Sequence, residues 1–149
     1  MTAAEASEPS DFTRTTEKTP LGLRILVVDD EALIRWSLAE ILSEFGHKVV
    51  EVGDGRGTER AVRSASPAFD VVLLDYRLPD SNDLSLLASI RTWAPHTQVI
   101  LMTAFGRPEV VRGALELGAF RVISKPFEMG DIANLVVQAH AAGFGTETH

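Results

Sequence analysis

Chemically capable side chains recur where apolar runs end. The adjacent carboxylates Asp29 and Asp30 follow Ile25–Val28, Asp75 follows Val71–Leu74, Thr103 follows Val99–Met102, and Ser124-Lys125 follow Phe120–Ile123. Carboxylates repel one another and resist burial, so a pair of them closing a core-like run needs a physical reason. If the runs are parallel strands, three carboxylates, a hydroxyl and an ammonium converge on one edge of a sheet. Two such charges about 4 Å apart interact by about 4 kcal/mol at an effective dielectric of about 20. Either one carboxylate takes up a proton or a cation sits among them. An oxygen-only donor set suits Mg²⁺, which keeps several waters and is commonly shared with a phosphate. Thr103 can donate to a phosphoryl oxygen and Lys125 can offset its charge. The pair after the first run is therefore read as a metal site.

The elements needed to position these groups are present. A further aliphatic run, Val49–Val52, brings the strand count to five, and most of the runs are apolar throughout, as strands covered on both faces are. Helical spacing fills the intervals. Ile34, Leu38, Ile41, Leu42 and Phe45 line one face of a first helix, which Gly46 ends. Thr58–Ala65 predicts a short second helix, stopping before Pro67. Leu84, Leu87, Ala88 and Ile90 mark a third, with Ser81 or Asn82 available as N-cap. Pro108 opens a fourth that Gly118 closes, and Met129–Ala142 forms a fifth around Ile132, Leu135, Val136 and Ala139. Strands alternating with helices predict an open, doubly wound α/β sheet, whose ligands bind beyond the carboxyl ends of the strands.

Composition narrows the function. The chain has 149 residues, 45% of them hydrophobic, enough for one core. Its net charge is −7, with no basic stripe, which argues against direct nucleic-acid binding. Cysteine is absent, which excludes disulfide and thiolate chemistry and suits a reducing cytoplasm. Residues 1–22 are polar and read as a disordered leader, 23–142 as the folded domain and 143–149 as a loose tail. No run is long enough for a membrane span. Trp36 reads as a partly buried helix residue and Trp93 as a helix-end contact, while His47, His96, His140 and His149 fit loops or surface. An isolated Asp29 or Asp30 would read as a helix N-cap, Thr103 as a turn hydroxyl and Lys125 as a solvated lysine; only the set promotes them.

Taken in order, Asp29-Asp30, Asp75, Thr103 and Lys125-Pro126 resemble the receiver domain of two-component response regulators. The phrases "ILVVDDE", "DVVLLDYRLPD", "VILMTAFG" and "LGAFRVISKPF" agree, and "IRWSL" with "MTAFG" is most similar to receivers of the nitrogen-regulation type. The resemblance spans Leu23 to about Ala142 and implies a flavodoxin-like sheet of strand order 2-1-3-4-5. It implies Asp75 as phosphoacceptor from a sensor histidine kinase or phosphotransfer protein. Mg²⁺ would be held by Asp30, Asp75 and the carbonyl of Arg77, with Asp29 ligating it or holding a metal-bound water. Lys125 and Thr103 would serve the phosphoryl group, Thr103 and the residue at 122 would act as the switch, and Lys125-Pro126 would be cis. Dimerisation through helix four, strand five and helix five is implied as well.

Three positions depart from the pattern. Val122 stands where an aromatic is usual, with Phe120 two residues earlier on the same strand face. Asp83 stands where glycine is common, which disfavours a left-handed backbone there, and Arg121 replaces an often acidic residue. Arg77 and Phe105, both bulky, are expected to flank the phosphoryl site and slow water attack. The chain carries no nucleotide-binding loop and no ATPase or DNA-binding motif, so no output domain is expected within it. A dehalogenase-like phosphatase would place Asp-x-Asp after strand one, and a flavodoxin would need a Ser/Thr/Gly-rich loop there; "DDEAL" is neither. The remaining alternative is a receiver-shaped interaction module that works without phosphorylation, a reading fed by Val122 and Asp83.

Overall fold

A computed structural model describes residues 22–147 of the chain. Strands β1 (Arg24–Val28), β2 (Lys48–Val52), β3 (Val71–Asp75), β4 (Gln98–Thr103) and β5 (Arg121–Ser124) alternate with five helices. These are α1 (Ala32–Glu44), α2 (Gly55–Ser64), α3 (Ser85–Trp93), α4 (Pro108–Glu116) and α5 (Met129–Glu147). The five strands pair in parallel throughout, in the order β2-β1-β3-β4-β5. The chain therefore reverses its direction of travel across the sheet between β1 and β3, which is where such sheets place ligands.

The central strands are buried on both faces because each carries two sets of apolar side chains. Ile25, Val27, Val71, Leu73, Ile100 and Met102 face α1 and α5, meeting Leu38, Leu42, Ile132, Val136 and Ala139. Leu26, Val28, Val72, Leu74, Val99 and Leu101 face α2, α3 and α4, meeting Val62, Leu87, Ile90, Val110 and Ala114. The two edge strands are the exposed ones: β2 has Val50 at the surface, and β5 exposes Arg121 and Ser124.

Several expected details differ. The first helix turns at Gly46 as read (φ 91°), but Phe45 is exposed rather than part of the buried stripe, and Trp36 is 57% exposed. Helix α2 begins earlier, at Gly55, because Asp54 caps it by accepting the Gly57 N–H at 2.7 Å. Neither Ser81 nor Asn82 caps α3; the Asp83 carboxylate accepts from both the N–H and the hydroxyl of Ser85. No non-glycine residue among those described has positive φ, so Asp83 is not strained. His47 is buried, not superficial. The expected tail is helical through Glu147: Gly143 does not end α5 but lets it pass Gln98, whose Nε2 would lie 2.7 Å from a Cβ there. Residues 1–21 of the expected leader, and His149, lie outside the described residues.

Candidate functional site

Register brings the carboxylates together. Val28 pairs with Leu74 on the adjacent strand, so Asp29 and Asp75 are the next residues along neighbouring strands, which lie about 4.8 Å apart. Asp29, Asp30 and Asp75 each offer a carboxylate oxygen, and those oxygens fall within 4.8 Å of one another. Asp29 and Asp75 are buried and Asp30 is exposed. Thr103, at the end of β4, is buried beside them, its hydroxyl exchanging 3.2 Å hydrogen bonds with the N–H and carbonyl of Phe105. The N–H of Lys125 donates to the Thr103 carbonyl at 2.8 Å, and Lys125-Pro126 is cis.

The Lys125 ammonium binds this edge together. It lies 2.8 Å from Asp29 Oδ2, 3.3 Å from Asp75 Oδ2 and 3.3 Å from Glu31 Oε1. Burial opposes its charge, but the Asp29 hydrogen bond and the nearby Asp75 charge hold its pKa above the ordinary value. Burial also pushes the Asp75 carboxyl up, to about 6, reinforced by the Asp29 charge; Lys125 and the Arg77 N–H, 3.3 Å away, pull the other way and do not prevail. A carboxyl so perturbed at a sheet edge is a mark of a functional site. One ammonium shared by three carboxylates leaves an uncompensated negative charge. Hard oxygen donors at this spacing, with Asp30 open to water, fit Mg²⁺ or another hard divalent cation.

Tyr76, Arg77, Thr103, Phe105 and Arg107 line a pocket of about 210 Å³ over this edge. Val122 packs into the cluster beneath α3 and α4. Phe120, expected on the same strand face as Val122, packs against the opposite cluster because β5 begins only at Arg121. The Arg121 guanidinium stacks 5.2 Å from the Phe120 ring centre.

The structure also gives roles to three residues that lie within the quoted phrases but received none there. Glu31 completes the carboxylate set on Lys125, and "DDE" is the signal that could have pointed to it. Arg35 reaches back from α1, its Nη1 donating to the Asp29 carbonyl at 2.6 Å. Asp80, in the loop after Asp75, accepts the N–H groups of Gly55 (2.7 Å) and Arg56 (3.1 Å) at the start of α2. Those bonds hold the Asp80 carboxyl below its ordinary pKa. No local sequence signal couples residues that far apart.

The family model for the response regulator receiver domain matches residues 25–137. The chain belongs to that family. This receiver is 36% identical over 115 residues to the regulatory protein AtoC of Escherichia coli, covering 77% of this chain and 24% of AtoC. It is 31% identical to the sporulation initiation phosphotransferase F of Bacillus subtilis, covering 76% and 90% of the two chains. The crystal structure of NtrX from Brucella abortus superposes with a TM-score of 0.77 at 30% identity, over 86% of this chain and 29% of that one. The receiver thus spans about a quarter of the length of the larger regulators it matches. Among the described residues no helix is long and apolar enough to cross a membrane.

Proposed function

We propose that Asp75 of this receiver takes a phosphoryl group from a phosphohistidine on a sensor kinase or phosphotransfer protein in the cytoplasm. Mg²⁺ would be held by Asp29, Asp30, Asp75 and the main-chain carbonyl of Arg77. One observation carries the reading: a buried carboxylate, Asp75, lies against two others while sharing the ammonium of Lys125. An Asp75 oxygen forms the bond to phosphorus as the phosphorus–nitrogen bond breaks, and the imidazole leaves with the electron pair and gains a proton. Bound Mg²⁺ supplies charge compensation to the phosphoryl oxygens. Lys125, already held between Asp29 and Asp75, offers its ammonium to the same oxygens, so this chain contributes mainly positioning and electrostatics.

The acyl phosphate carries roughly −1.5 to −2 charge. Thr103 then exchanges its bonds to Phe105 for one to a phosphoryl oxygen, loosening the β4–α4 loop, and the face made by α4, β5 and α5 repacks as the protein-binding or dimerising surface. Val122 gives that switch an aliphatic residue in place of an aromatic one, which is the observation favouring a second reading, an interaction module independent of phosphorylation. Intact mass after incubation with acetyl phosphate and Mg²⁺ separates the two. The parent gains one phosphoryl group and Asp75→Asn or a chelated sample gains none; no gain in the parent leaves only the second reading.

A further inference from the structure

The acidic turn after β1 is held in an unequal way. Asp29 is fully buried and every one of its polar atoms is engaged. Its N–H donates to the Val52 carbonyl at 3.2 Å, Oδ1 accepts the Glu31 N–H at 2.9 Å and Oδ2 accepts the Lys125 ammonium at 2.8 Å. Its carbonyl is taken by Arg35 Nη1 at 2.6 Å. Asp30, by contrast, is exposed, and its carboxylate has no hydrogen-bond partner among the described residues. With no partner to hold its side-chain torsions, Asp30 depends on the backbone to aim its Cα–Cβ bond. The peptide plane that delivers it is the Asp29–Asp30 amide, whose oxygen Arg35 holds.

We infer that Arg35 is a positioning residue for the cation site, fixing the Asp29–Asp30 peptide so that Asp30 faces Asp29 and Asp75; the inference rests on the Mg²⁺ reading above. The geometry around the guanidinium supports this role. Arg35 closes the first turn of α1 by donating its own N–H to the Glu31 carbonyl at 3.0 Å, so its side chain starts from a fixed point. Its Nε faces Glu51 Oε1 on β2 at 3.5 Å. Gly53 leaves the guanidinium its room, since a Cβ there would sit 3.3 Å from Nη1. The β1 turn, β2 and α1 thus meet on one planar, multiply donating group, the kind of outer contact that orients ligands to a metal.

Charge and geometry predict opposite signs. Arg35 is cationic, so removing it would tighten Mg²⁺ binding if its field were what mattered, and would leave Glu51 unpaired as a further attraction. If it acts by holding the peptide, removal weakens binding.

The test is an amide NMR titration of the full chain with MgCl₂ and no phosphodonor. Arg35→Ala is expected to raise the Mg²⁺ Kd about tenfold with a folded spectrum, Arg35→Lys to give an intermediate value, and Leu33→Ala, on the exposed face of the same helix, to leave it unchanged. An unchanged or lower Kd in Arg35→Ala overturns the inference, as does an equal loss in Leu33→Ala. Should Arg35→Ala fail to fold, Gly53→Ala crowds the guanidinium without removing it and must also weaken binding; an unchanged Kd there overturns the inference too. A parent chain that does not titrate with Mg²⁺ refutes the cation reading itself and this inference with it.

Discussion

Lys125 Nζ lies 2.8 Å from Asp29 Oδ2, across 96 residues of chain. That contact joins the first and last strands of the parallel series through side chains that are both largely buried. Lys125 acts there as an internal cation for carboxylates that cannot all stay ionised unaided. Replacing it with Met leaves Asp29 and Asp75 without that partner. The expected loss is about 3 kcal/mol of stability in chelator, the lower end for breaking a buried pair. Adding Mg²⁺ should recover more of the melting temperature in Lys125→Met than in the parent. Equal Mg²⁺ increments in the two proteins would show that lysine and metal do not share a role.

The Asp75 carboxyl gives a pH signature in metal-free protein. Its folded pKa is raised from 3.8 to about 6, so the folded state holds a proton that the unfolded state has released. Stability from this group is fully present below the unfolded pKa and is lost as pH rises through about 6. Asp75→Asn keeps the size and removes the charge. It should melt higher than the parent at pH 7.5 in chelator, by about 3 °C or more, with the difference shrinking toward pH 4. A constant difference across that range would contradict the assigned shift.

His47 predicts the opposite slope. Both ring nitrogens are buried without a partner among the described residues. Burial lowers the pKa from 6.5, against the attraction of Asp70. The unfolded chain therefore binds the proton more readily, and stability from this group is present above pH 6.5 and lost as pH falls below it. Unpaired buried polar atoms cost about 1–3 kcal/mol, so His47→Leu should stabilise the protein by about 1 kcal/mol and flatten the acid side of its stability profile. Denaturant unfolding at pH 5.5 and 7.5 measures both; a destabilised variant with an unchanged slope would refute this account.

The strands and the site were legible because both rest on the same constraint. A strand buried on two faces must be apolar along its length, so Ile25–Val28 and Val71–Leu74 stand out, and parallel pairing then forces the residues after them onto one edge. What escaped the sequence depends on contacts between distant elements. Asp80 caps α2 from another loop, and Phe120 turns to the opposite core because the strand starts one residue later. Gly143 resembles a helix stop yet answers a close approach to Gln98. His47 follows a turn glycine and looks superficial, but it is covered by elements whose packing its neighbours in sequence do not specify.

The pocket formed by Tyr76, Arg77, Thr103, Phe105 and Arg107 bears on the lifetime of the proposed acyl phosphate. In the proposed phosphorylated state water would have to reach phosphorus opposite the Asp75 oxygen, and Arg77 and Phe105 line the pocket there together with Thr103. Phe105 is 71% exposed, so it is free to lie across the pocket without leaving the core short of a side chain. Removing both groups opens the approach and leaves Asp75, Lys125 and the acidic pair in place. Arg77→Ala combined with Phe105→Ala should hydrolyse roughly tenfold faster, equivalent to about 1.4 kcal/mol off the barrier. A time course of intact mass after removal of acetyl phosphate reads the rate directly, and thermal unfolding checks that the double variant is folded. Decay at the parental rate in a folded double variant would mean that access to phosphorus is controlled elsewhere.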